Sequence, residues 1–367
     1  MFETSCSDGY SMNSKINKSI TLVGSNSIHT IRYLTAIANR FQQIIFITHG
    51  EPAVNLPANI ISYDIDFRLR SIKSRNKIAA ILNKHHISIV HIQQANSYAY
   101  HTLKAIKKAS IKCKTILTTW GSDILVLPNK NLLFKRMVRF NLSHVDIITS
   151  DSLYMSAKIR ELAPLATNIH TINFGMQHFP TSLDLNYKQN IILSNRLHKQ
   201  LYNIDKIISG FAKLITNPKY SDYKLVIAGS GHDTNRLKHL ADQLRVRSQV
   251  EFIGMVSYTE LIKWYRIAKL FISIPSTDAT SLSVLEAIGY GCYPILSNLP
   301  ANLEWVIDQI NGTICSNIVD LDQDIINAIE LIKNHPGEYQ KLAKFNYELI
   351  NQKAIFENNL EKFISLY

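Results

Sequence analysis

The stretch LFISIPSTDATSLSVLEAIGYG, residues 270–291, has the pattern of a buried strand, a turn and an apolar helix in direct succession. Thr280 and Ser281 stand at the turn, where hydroxyl side chains commonly cap a helix. The first backbone N–H groups of such a helix, near Ser281 and Leu282, have no intrahelical partner and lie at the positive end of the helix dipole. The pattern therefore predicts a site for an anion such as phosphate.

Two carboxylates flank this predicted site. Asp278 precedes the cap, Glu286 lies lower on the helix, and they are the only acidic residues between Glu260 and Glu304. Each can accept hydrogen bonds from hydroxyl groups on one side of a bound diphosphate. A diphosphate flanked by two polyols is a nucleotide sugar, which is the ligand that we predict. Two acids at this spacing are also typical of a solvated helix face, and that remains the alternative interpretation.

Short apolar runs alternate with helical patterns along the whole chain, which indicates parallel sheets in doubly wound α/β domains. In the first half the predicted strands are SITLV (19–23), QIIFIT (43–48), NIISY (59–63), SIVHI (88–92), KTILTT (114–119), DIITS (146–150) and IHTIN (169–173). In the second half they are NIILS (190–194), YKLVIAG (223–229), QVEFIG (249–254), LFISI (270–274) and YPILS (293–297).

The segment FGMQHFP (174–180) interrupts this alternation. We therefore predict two tandem Rossmann-like domains whose parallel sheets face an interdomain cleft, at residues 1–176 and 177–350. Residues 351–367 are predicted to form a C-terminal helix that packs back toward the first domain. The length of 367 residues and the 46% of hydrophobic residues agree with two domain cores.

Other features of the composition bear on location. No apolar run approaches the roughly 20 residues of a membrane span, and Met1–Tyr10 has no signal-peptide pattern. The four cysteines lack C-x-x-C spacing, which argues against a disulfide framework or a zinc site and favours a reducing cytoplasm. We expect a cytoplasmic protein, with a peripheral position on the inner face of the cytoplasmic membrane as a further option.

The net charge of +12 is confined to the first half of the chain. Residues 1–180 hold 21 Lys and Arg against 9 Asp and Glu, whereas residues 181–367 hold 19 of each. The basic residues are densest in LKAIKKASIKCK (103–114) and NKNLLFKRMVRF (129–140). The second segment predicts a basic amphipathic helix able to lie on an anionic membrane, or a half-buried helix with a solvated basic face. No nucleic-acid-binding signature accompanies the charge, so we predict no nucleic-acid partner.

Three further residues lie at or just after the ends of predicted strands, where ligands bind in doubly wound domains. Gly24 comes directly after SITLV and allows a backbone to approach a phosphate, or forms a plain tight turn. Arg196 follows NIILS, where its guanidinium could grip a diphosphate or remain solvated. Gly229 opens a Gly-Ser-Gly turn suited to close packing or to approach by a nucleotide.

Several longer segments together resemble the glycosyltransferases of family 4. In the second half these are LVIAGSGHDTNRLKHLADQL, VEFIGMVSYTELIKWYRIAKLFIS and PSTDATSLSVLEAIGYGCYPILSNLPANLEWV. In the first half SIHTIRYL, SIVHIQ, TTWGSDIL, DIITSDS and INFGMQHF are similar to the same family. The resemblance covers nearly the whole chain. It implies the GT-B fold and a retaining, metal-independent transferase with a nucleotide sugar as donor, no cofactor, and a glycan or lipid-linked acceptor of the cell envelope.

The resemblance also implies roles for single residues. Glu286 matches the carboxylate that holds the ribose hydroxyls, and Asp278 matches the carboxylate that holds hydroxyls of the transferred sugar. Arg196 matches the arginine that neutralises the diphosphate, with Asp278 and Arg196 as the catalytic pair. The other donor-site residues are Ser281, Leu282, Thr280, Gly24, Lys199 and Gly229. On the acceptor side the implied residues are His29, His91, Trp120 and Asp123.

Three positions depart from the family pattern. Asp278 stands where the family usually has Glu, and Lys199 comes too early for the family's second cation, at whose place Leu201 or Tyr202 stands. His91-Ile92-Gln93 lacks the second histidine of the family's H-x-H, so His91 is interpreted as a packed strand residue or as a base. A non-catalytic partner subunit and another GT-B enzyme, such as a sugar-nucleotide epimerase, are the alternative functions. The D-x-D pairs Asp64/Asp66 and Asp320/Asp322 are interpreted as solvated acids, and no metal site is expected.

Overall fold

A computed structural model describes residues 16–52 and 54–367. Cys6 and the segment Met1–Tyr10, on which two of the predictions above depend, lie outside these residues. The described chain divides into two compact units. The first comprises the described residues up to Ser150, Lys158–His170 and Leu366–Tyr367, and the second comprises Asp151–Ala157 and Thr171–Ser365. No helix in the described part of the chain is both long enough and apolar enough to cross a membrane.

The first unit contains a seven-stranded sheet in the order β3-β2-β1-β4-β5-β6-β7. Its strands are β1 (Ile16–Val23), β2 (Phe41–Thr48), β3 (Ile60–Asp64), β4 (Ile89–Gln93), β5 (Lys114–Thr118), β6 (Ile147–Ser150) and β7 (Ile169–Thr171). The helices that alternate with them are α1 (Ile28–Ile37), α2 (Lys73–Lys84), α3 (Ser97–Ala109), α4 (Leu127–Lys130), α5 (Leu132–Ser143) and α6 (Leu153–Leu162). Helices cover both faces of the sheet, which is why the residues of β4 and β6 are all buried.

The second unit contains a six-stranded sheet in the order β10-β9-β8-β11-β12-β13. Its strands are β8 (Gln189–Asn195), β9 (Lys224–Ala228), β10 (Val250–Gly254), β11 (Ala268–Ser273), β12 (Tyr293–Ser297) and β13 (Thr313–Cys315). Its helices are α7 (Ile204–Leu214), α8 (Thr234–Gln243), α9 (Tyr258–Ile267), α10 (Leu282–Gly289), α11 (Pro300–Leu303), α12 (Leu321–Asn334), α13 (Pro336–Lys353) and α14 (Phe356–Ile364). Two apolar clusters, one around Phe211 and Leu225 and one around Phe271 and Leu285, form the core.

Both sheets confirm the predicted fold class of two Rossmann-like domains. In each sheet the first strand lies in the interior, and later strands are added first on one side of it and then on the other. The strand order therefore switches between β1 and β4 and between β8 and β11, while these neighbouring strands stay parallel. The parallel registers place the carboxyl ends of β1, β4 and β5 side by side, and likewise those of β8 and β11. Ligands of doubly wound sheets bind at these edges.

Candidate donor site

The N-terminus of α10 and the end of β8 meet at Arg196. Ser281 occupies the N-cap position, but its hydroxyl makes no capping bond and instead contacts the Arg196 guanidinium. The predicted side-chain cap is therefore wrong, because the guanidinium is a stronger partner for the hydroxyl than the backbone of the first turn. Among the described residues, the backbone N–H groups of Leu282 and Ser283 have no hydrogen-bond partner. The helix start thus presents free N–H donors beside a fixed cation.

Asp278 holds the other side of the same guanidinium. Its Oδ2 lies 2.6 Å from Arg196 Nη2, with 21% of the Asp278 side chain and 9% of the Arg196 side chain exposed. The Tyr202 ring lies against the guanidinium at 4.4 Å, whereas Lys199 is exposed on the preceding loop. An ion pair this shielded keeps the Arg196 planar group in one orientation. Tyr202, and not Lys199, is the neighbour of the arginine at this point.

The glycine turn after β9 supports the loop that carries Arg196. Gly229 has φ of +111°, a backbone conformation that favours glycine, and a Cβ there would collide with the Arg196 carbonyl. A Cβ on Gly231 would collide with the His198 carbonyl in the same way, and His198 N donates to Ser230 O at 3.1 Å. Of the two interpretations of this turn, the structure supports close packing. The turn positions the Arg196 loop.

Glu286 lies one level below the helix start, on α10, and is only 3% exposed. Its Oε2 accepts a hydrogen bond of 3.0 Å from Tyr265 Oη, and Asn195 Nδ2 donates to the same Tyr265 Oη at 3.0 Å. Burial and the Glu286 carboxylate raise the pKa of Tyr258 as well as that of Tyr265. The carboxylate is therefore held among tyrosine side chains.

Asp151 also belongs to this neighbourhood and was not among the predicted site residues. Thr280 Oγ1 donates to the Asp151 carbonyl at 2.9 Å, so the Thr280 hydroxyl is also engaged elsewhere than in a cap. Burial, with the nearby charges of Asp278 and Glu304, raises the pKa of the Asp151 carboxyl to about 7. Its position directly after β6, at the carboxyl edge of a parallel sheet, is the signal that could have identified it.

In the first unit, the side chains of His29, Gln93 and Trp120 and the backbone of Gly24 meet at the carboxyl ends of β1, β4 and β5. Trp120 Nε1 donates to Gln93 Oε1 at 3.0 Å, and the His29 and Trp120 rings meet edge to face at 5.5 Å. A Cβ on Gly24 would stand 2.8 Å from the Gln93 Cβ, so only glycine allows this approach. His29, Gln93 and Trp120 thus form a second polar and aromatic cluster, which we call the N-terminal cluster.

The other two residues expected on the acceptor side lie deeper in the first unit. His91 is 1% exposed; its Nδ1 bonds the Tyr367 hydroxyl at 2.6 Å and its Nε2 bonds the Thr118 hydroxyl at 2.7 Å. Burial lowers the pKa of His91 to about 3, so the ring is neutral. Asp123 is 3% exposed and accepts hydrogen bonds from the backbone N–H groups of Ala95 and Trp120. Both side chains brace the sheet and its loops, and His91 has the placement of a packed strand residue.

The two D-x-D pairs have ordinary partners. Asp66 pairs with Arg68 at 2.7 Å, and Asp322 pairs with Lys213 at 3.2 Å. Within residues 16–52 and 54–367, no group of three or more His, Cys, Asp or Glu side chains could hold a metal ion. Metal independence of the reaction stays a prediction.

Comparison with known proteins adds two family models, and together they span most of the chain. The model described as "Glycosyl transferases group 1" matches residues 177–349, and the model described as "Glycosyl transferase 4-like" matches residues 19–152. The first match contains Arg196, Asp278 and Glu286, and the second contains the N-terminal cluster and Asp151.

Individual relatives agree with the family models. The N-acetyl-alpha-D-glucosaminyl L-malate synthase of Bacillus anthracis is 20% identical over 94% of this chain and 93% of its own length. The alpha-monoglucosyldiacylglycerol synthase of Streptococcus pneumoniae is 27% identical over 44% of this chain and 38% of its own. The crystal structure of Anabaena HepE in complex with UDP superposes with a TM-score of 0.75, at 11% identity, over 95% of this chain and 98% of that one.

Proposed function

The chain belongs to the glycosyltransferases of the family 4 type, and on that premise we propose that it moves a sugar from a nucleoside diphosphate to a glycan or lipid-linked acceptor with retention of anomeric configuration. The observation that carries the proposal is the meeting of Arg196, the unpaired N–H groups of α10 and two carboxylates at one edge of the second sheet. This set matches the parts of a nucleotide sugar: diphosphate, ribose and transferred sugar.

The chemistry requires stabilisation of the leaving diphosphate as negative charge develops on it. Arg196 and the N–H groups of Leu282 and Ser283 are already oriented for this purpose, which minimises reorganisation during the reaction. In a front-face retaining mechanism the leaving phosphate takes the proton of the acceptor hydroxyl. No protein base is then required, which agrees with a neutral, buried His91 and with Gln93 at the place of a second histidine.

Asp278 has a double role in this proposal. Its Oδ2 holds Arg196, while a carboxylate can still accept hydrogen bonds from hydroxyls of the transferred sugar. The acceptor is proposed to bind in the first unit, at the N-terminal cluster, where an indole, an imidazole and an amide offer both stacking and hydrogen bonding.

We also propose that the first unit docks on an anionic membrane through the start of α5. Leu132 is 71% exposed and Leu133 is 66% exposed, whereas Met137 and Val138 on the same helix are buried. Exposed cations lie close to the two leucines in the sequence: Lys130, Lys135, Arg136 and Arg139. Exposed apolar side chains within a basic field suit the interface of anionic lipids, where the cations reach headgroups. The alpha-monoglucosyldiacylglycerol synthase relative, by its name, makes a lipid product.

A thermal-shift screen against UDP-, GDP-, ADP- and CMP-sugars tests the donor part of the proposal. A ligand that binds only the native state raises the melting temperature. At a concentration one hundred times its Kd it adds about 2.7 kcal/mol to the free energy of unfolding. We expect one nucleotide class to do so. The accepted donor is then used in transfer assays, where the anomeric configuration of the product distinguishes retention from inversion. No shift with any of the four classes at millimolar concentration would contradict the proposal.

A further inference from the structure

A chain of two hydrogen bonds runs from the end of β8 to Glu286. Asn195 is the last residue of β8 and directly precedes Arg196. Its Nδ2 donates to Tyr265 Oη at 3.0 Å, and Tyr265 Oη donates to Glu286 Oε2 at 3.0 Å. The three residues come from β8, α9 and α10, so one strand end connects the arginine of the site with its ribose-side carboxylate.

The direction of this chain follows from the chemistry of its members. A carboxylate only accepts, and a tyrosine hydroxyl has a single proton to donate. If the Asn195 oxygen faced the hydroxyl, it would compete with Glu286 for that proton, whereas the amide nitrogen satisfies both neighbours. Burial and the Glu286 charge raise the pKa of Tyr265 well above its ordinary value, so the hydroxyl keeps its proton. The Tyr265 proton is therefore directed at Glu286.

Tyr265 is itself held firmly and away from solvent. Its side chain is 0% exposed, and its ring stacks on Tyr290 with centroids 6.1 Å apart and an angle of 10°. The carbonyl oxygens of Tyr265 and Ala268 accept hydrogen bonds of 2.9 and 2.8 Å from Lys188 Nζ, which fixes the end of α9. A residue so enclosed cannot contact a ligand directly, and its hydroxyl acts through the groups that it bonds, Glu286 and Asn195.

We propose that Tyr265 is a positioning residue that aims the Glu286 carboxylate at the ribose hydroxyls of the donor and so sets selectivity for a ribonucleotide. The inference rests on the proposed function, because it requires a nucleoside diphosphate at the α10 site. Tyr265 occupies one lone pair of Oε2 and restricts rotation of the carboxylate. A carboxylate held in one orientation loses little entropy when it binds the ribose hydroxyls.

The test compares Tyr265→Phe with Tyr290→Phe. Tyr290 is a matched control because its ring stacks on Tyr265 while its hydroxyl donates to the His178 carbonyl at 3.0 Å and not to Glu286. UDP, GDP and ADP are first tested for binding to the wild type. Calorimetry then gives the Kd of the nucleotide that binds and the Kd of its 2′,3′-dideoxy analogue. We expect Tyr265→Phe to weaken binding of the ribonucleotide about tenfold and to leave the dideoxy Kd unchanged. Tyr290→Phe should preserve the wild-type ratio of the two Kd values.

Kinetics and a double variant separate positioning from loss of stability. Ribose contacts are equal in ground and transition states, so Tyr265→Phe should raise KM for the donor and leave kcat unchanged. In a Glu286→Ala background, Tyr265→Phe should have no further effect on the Kd, because the two residues act as one unit. If Tyr265→Phe fails to fold, Asn195→Ala is used instead, because it removes the hydrogen bond from Asn195 to Tyr265. It should also lower the preference for the ribonucleotide over its dideoxy counterpart.

The outcomes distinguish this inference from the function on which it rests. Wild-type protein that binds none of the three nucleoside diphosphates would overturn the proposed function. Wild-type protein that binds the ribonucleotide and its dideoxy counterpart equally, or Tyr265→Phe protein that keeps the wild-type selectivity, would overturn the inference and leave the diphosphate site standing.

Discussion

Arg196 carries the largest share of the proposed chemistry, because it is the cation held directly at the α10 N-terminus. Truncation to Ala should lower kcat by roughly 10²-fold or more, the usual effect of losing one preorganised donor that stabilises developing charge. Arg196→Lys should recover part of the loss, since the charge returns without the planar fork that Asp278 and Ser281 hold. Steady-state kinetics with the accepted donor measures both variants.

A suitable control for this prediction is Arg247→Ala. Arg247 is a half-exposed arginine of the same unit that donates to the Val250 carbonyl. Its removal should leave kcat unchanged. Full activity in Arg196→Ala would transfer the cationic role to another residue, of which the exposed Lys199 is the nearest in sequence.

Glu286→Ala should weaken binding of the free nucleoside diphosphate and of the nucleotide sugar to a similar degree, because both ligands contain the ribose. A hydrogen bond to a charged group contributes about 1.5–3 kcal/mol, so the expected loss of affinity is about tenfold or more. Glu260→Ala is the matched control, since Glu260 is a half-exposed acid at the start of α9. Calorimetric Kd values that are equal for wild type and Glu286→Ala would show that the ribose binds elsewhere.

For single residues, the sequence indicated which side chains belong to the site better than it indicated their hydrogen-bond partners. The special position of Asp278 and Glu286 could be inferred from their isolation in an otherwise apolar stretch. The Tyr265 partner of Glu286, 21 residues away, could not be inferred, nor could the Asn195 partner of Tyr265, 70 residues away, because these groups meet only through the packing of three elements. Asp151 lies still farther from Thr280 along the chain.

Among the elements, the strands were predicted with small errors in their bounds and one omission. β13 (Thr313–Cys315) was missed because three residues are too short for a periodic pattern, although all three are buried at the edge of the second sheet. At α10 the helix start was predicted correctly at Ser281 and Leu282, while the function of the Ser281 hydroxyl was not. Local sequence indicates where a helix begins, but the competing partner Arg196 arrives from another strand.

Helix α5 has two exposed leucines at its start and buried apolar residues farther along, and its exposed cations make the membrane proposal testable. Lys135, Arg136 and Arg139 should each contribute on the order of 1 kcal/mol near an anionic surface. Reversal of all three to Glu should therefore release the protein from liposomes rich in anionic lipid, without a change in the Kd for nucleotides. Co-sedimentation at low and at physiological salt measures the effect, and binding should weaken as salt screens the charges.

The control reverses three exposed lysines of the second unit, Lys333, Lys341 and Lys344, and so lowers the net charge by the same amount. This variant should remain bound to the liposomes. A double substitution, Leu132→Ser with Leu133→Ser, should weaken binding at physiological salt, where insertion of apolar groups matters more than charge. Wild-type protein that stays in the supernatant at low salt would favour a soluble acceptor.

For the whole molecule, the pKa of Asp151 predicts how stability depends on pH. An aspartate has a pKa near 3.8 in the unfolded chain and about 7 here, so the native state binds the extra proton between these values. The contribution of Asp151 to stability is therefore fully present below about pH 4 and is lost as pH rises through about 7. We expect the melting temperature of the wild type to fall between pH 5 and pH 8 more steeply than that of Asp151→Asn.

The comparison of the two pH profiles isolates Asp151, because the histidines titrate equally in both proteins. Parallel profiles would mean that the carboxyl is ionised throughout this range. A ligand-dependent change in the profile would further connect Asp151 with Asp278, whose charge lies close enough to raise the Asp151 pKa.

The sequence by itself determined the fold class and the family, because alternation of short apolar runs with helical patterns and the run of residues 270–306 are local properties. It also determined that the positive charge belongs to the first half of the chain. Only the tertiary structure decided which groups share a site. Arg196 meets Asp278 across 82 residues, Thr280 meets Asp151 across 129, and His91 bonds Tyr367 across 276. Such pairs depend on strand order and side-chain packing, which act over distances that no local pattern encodes.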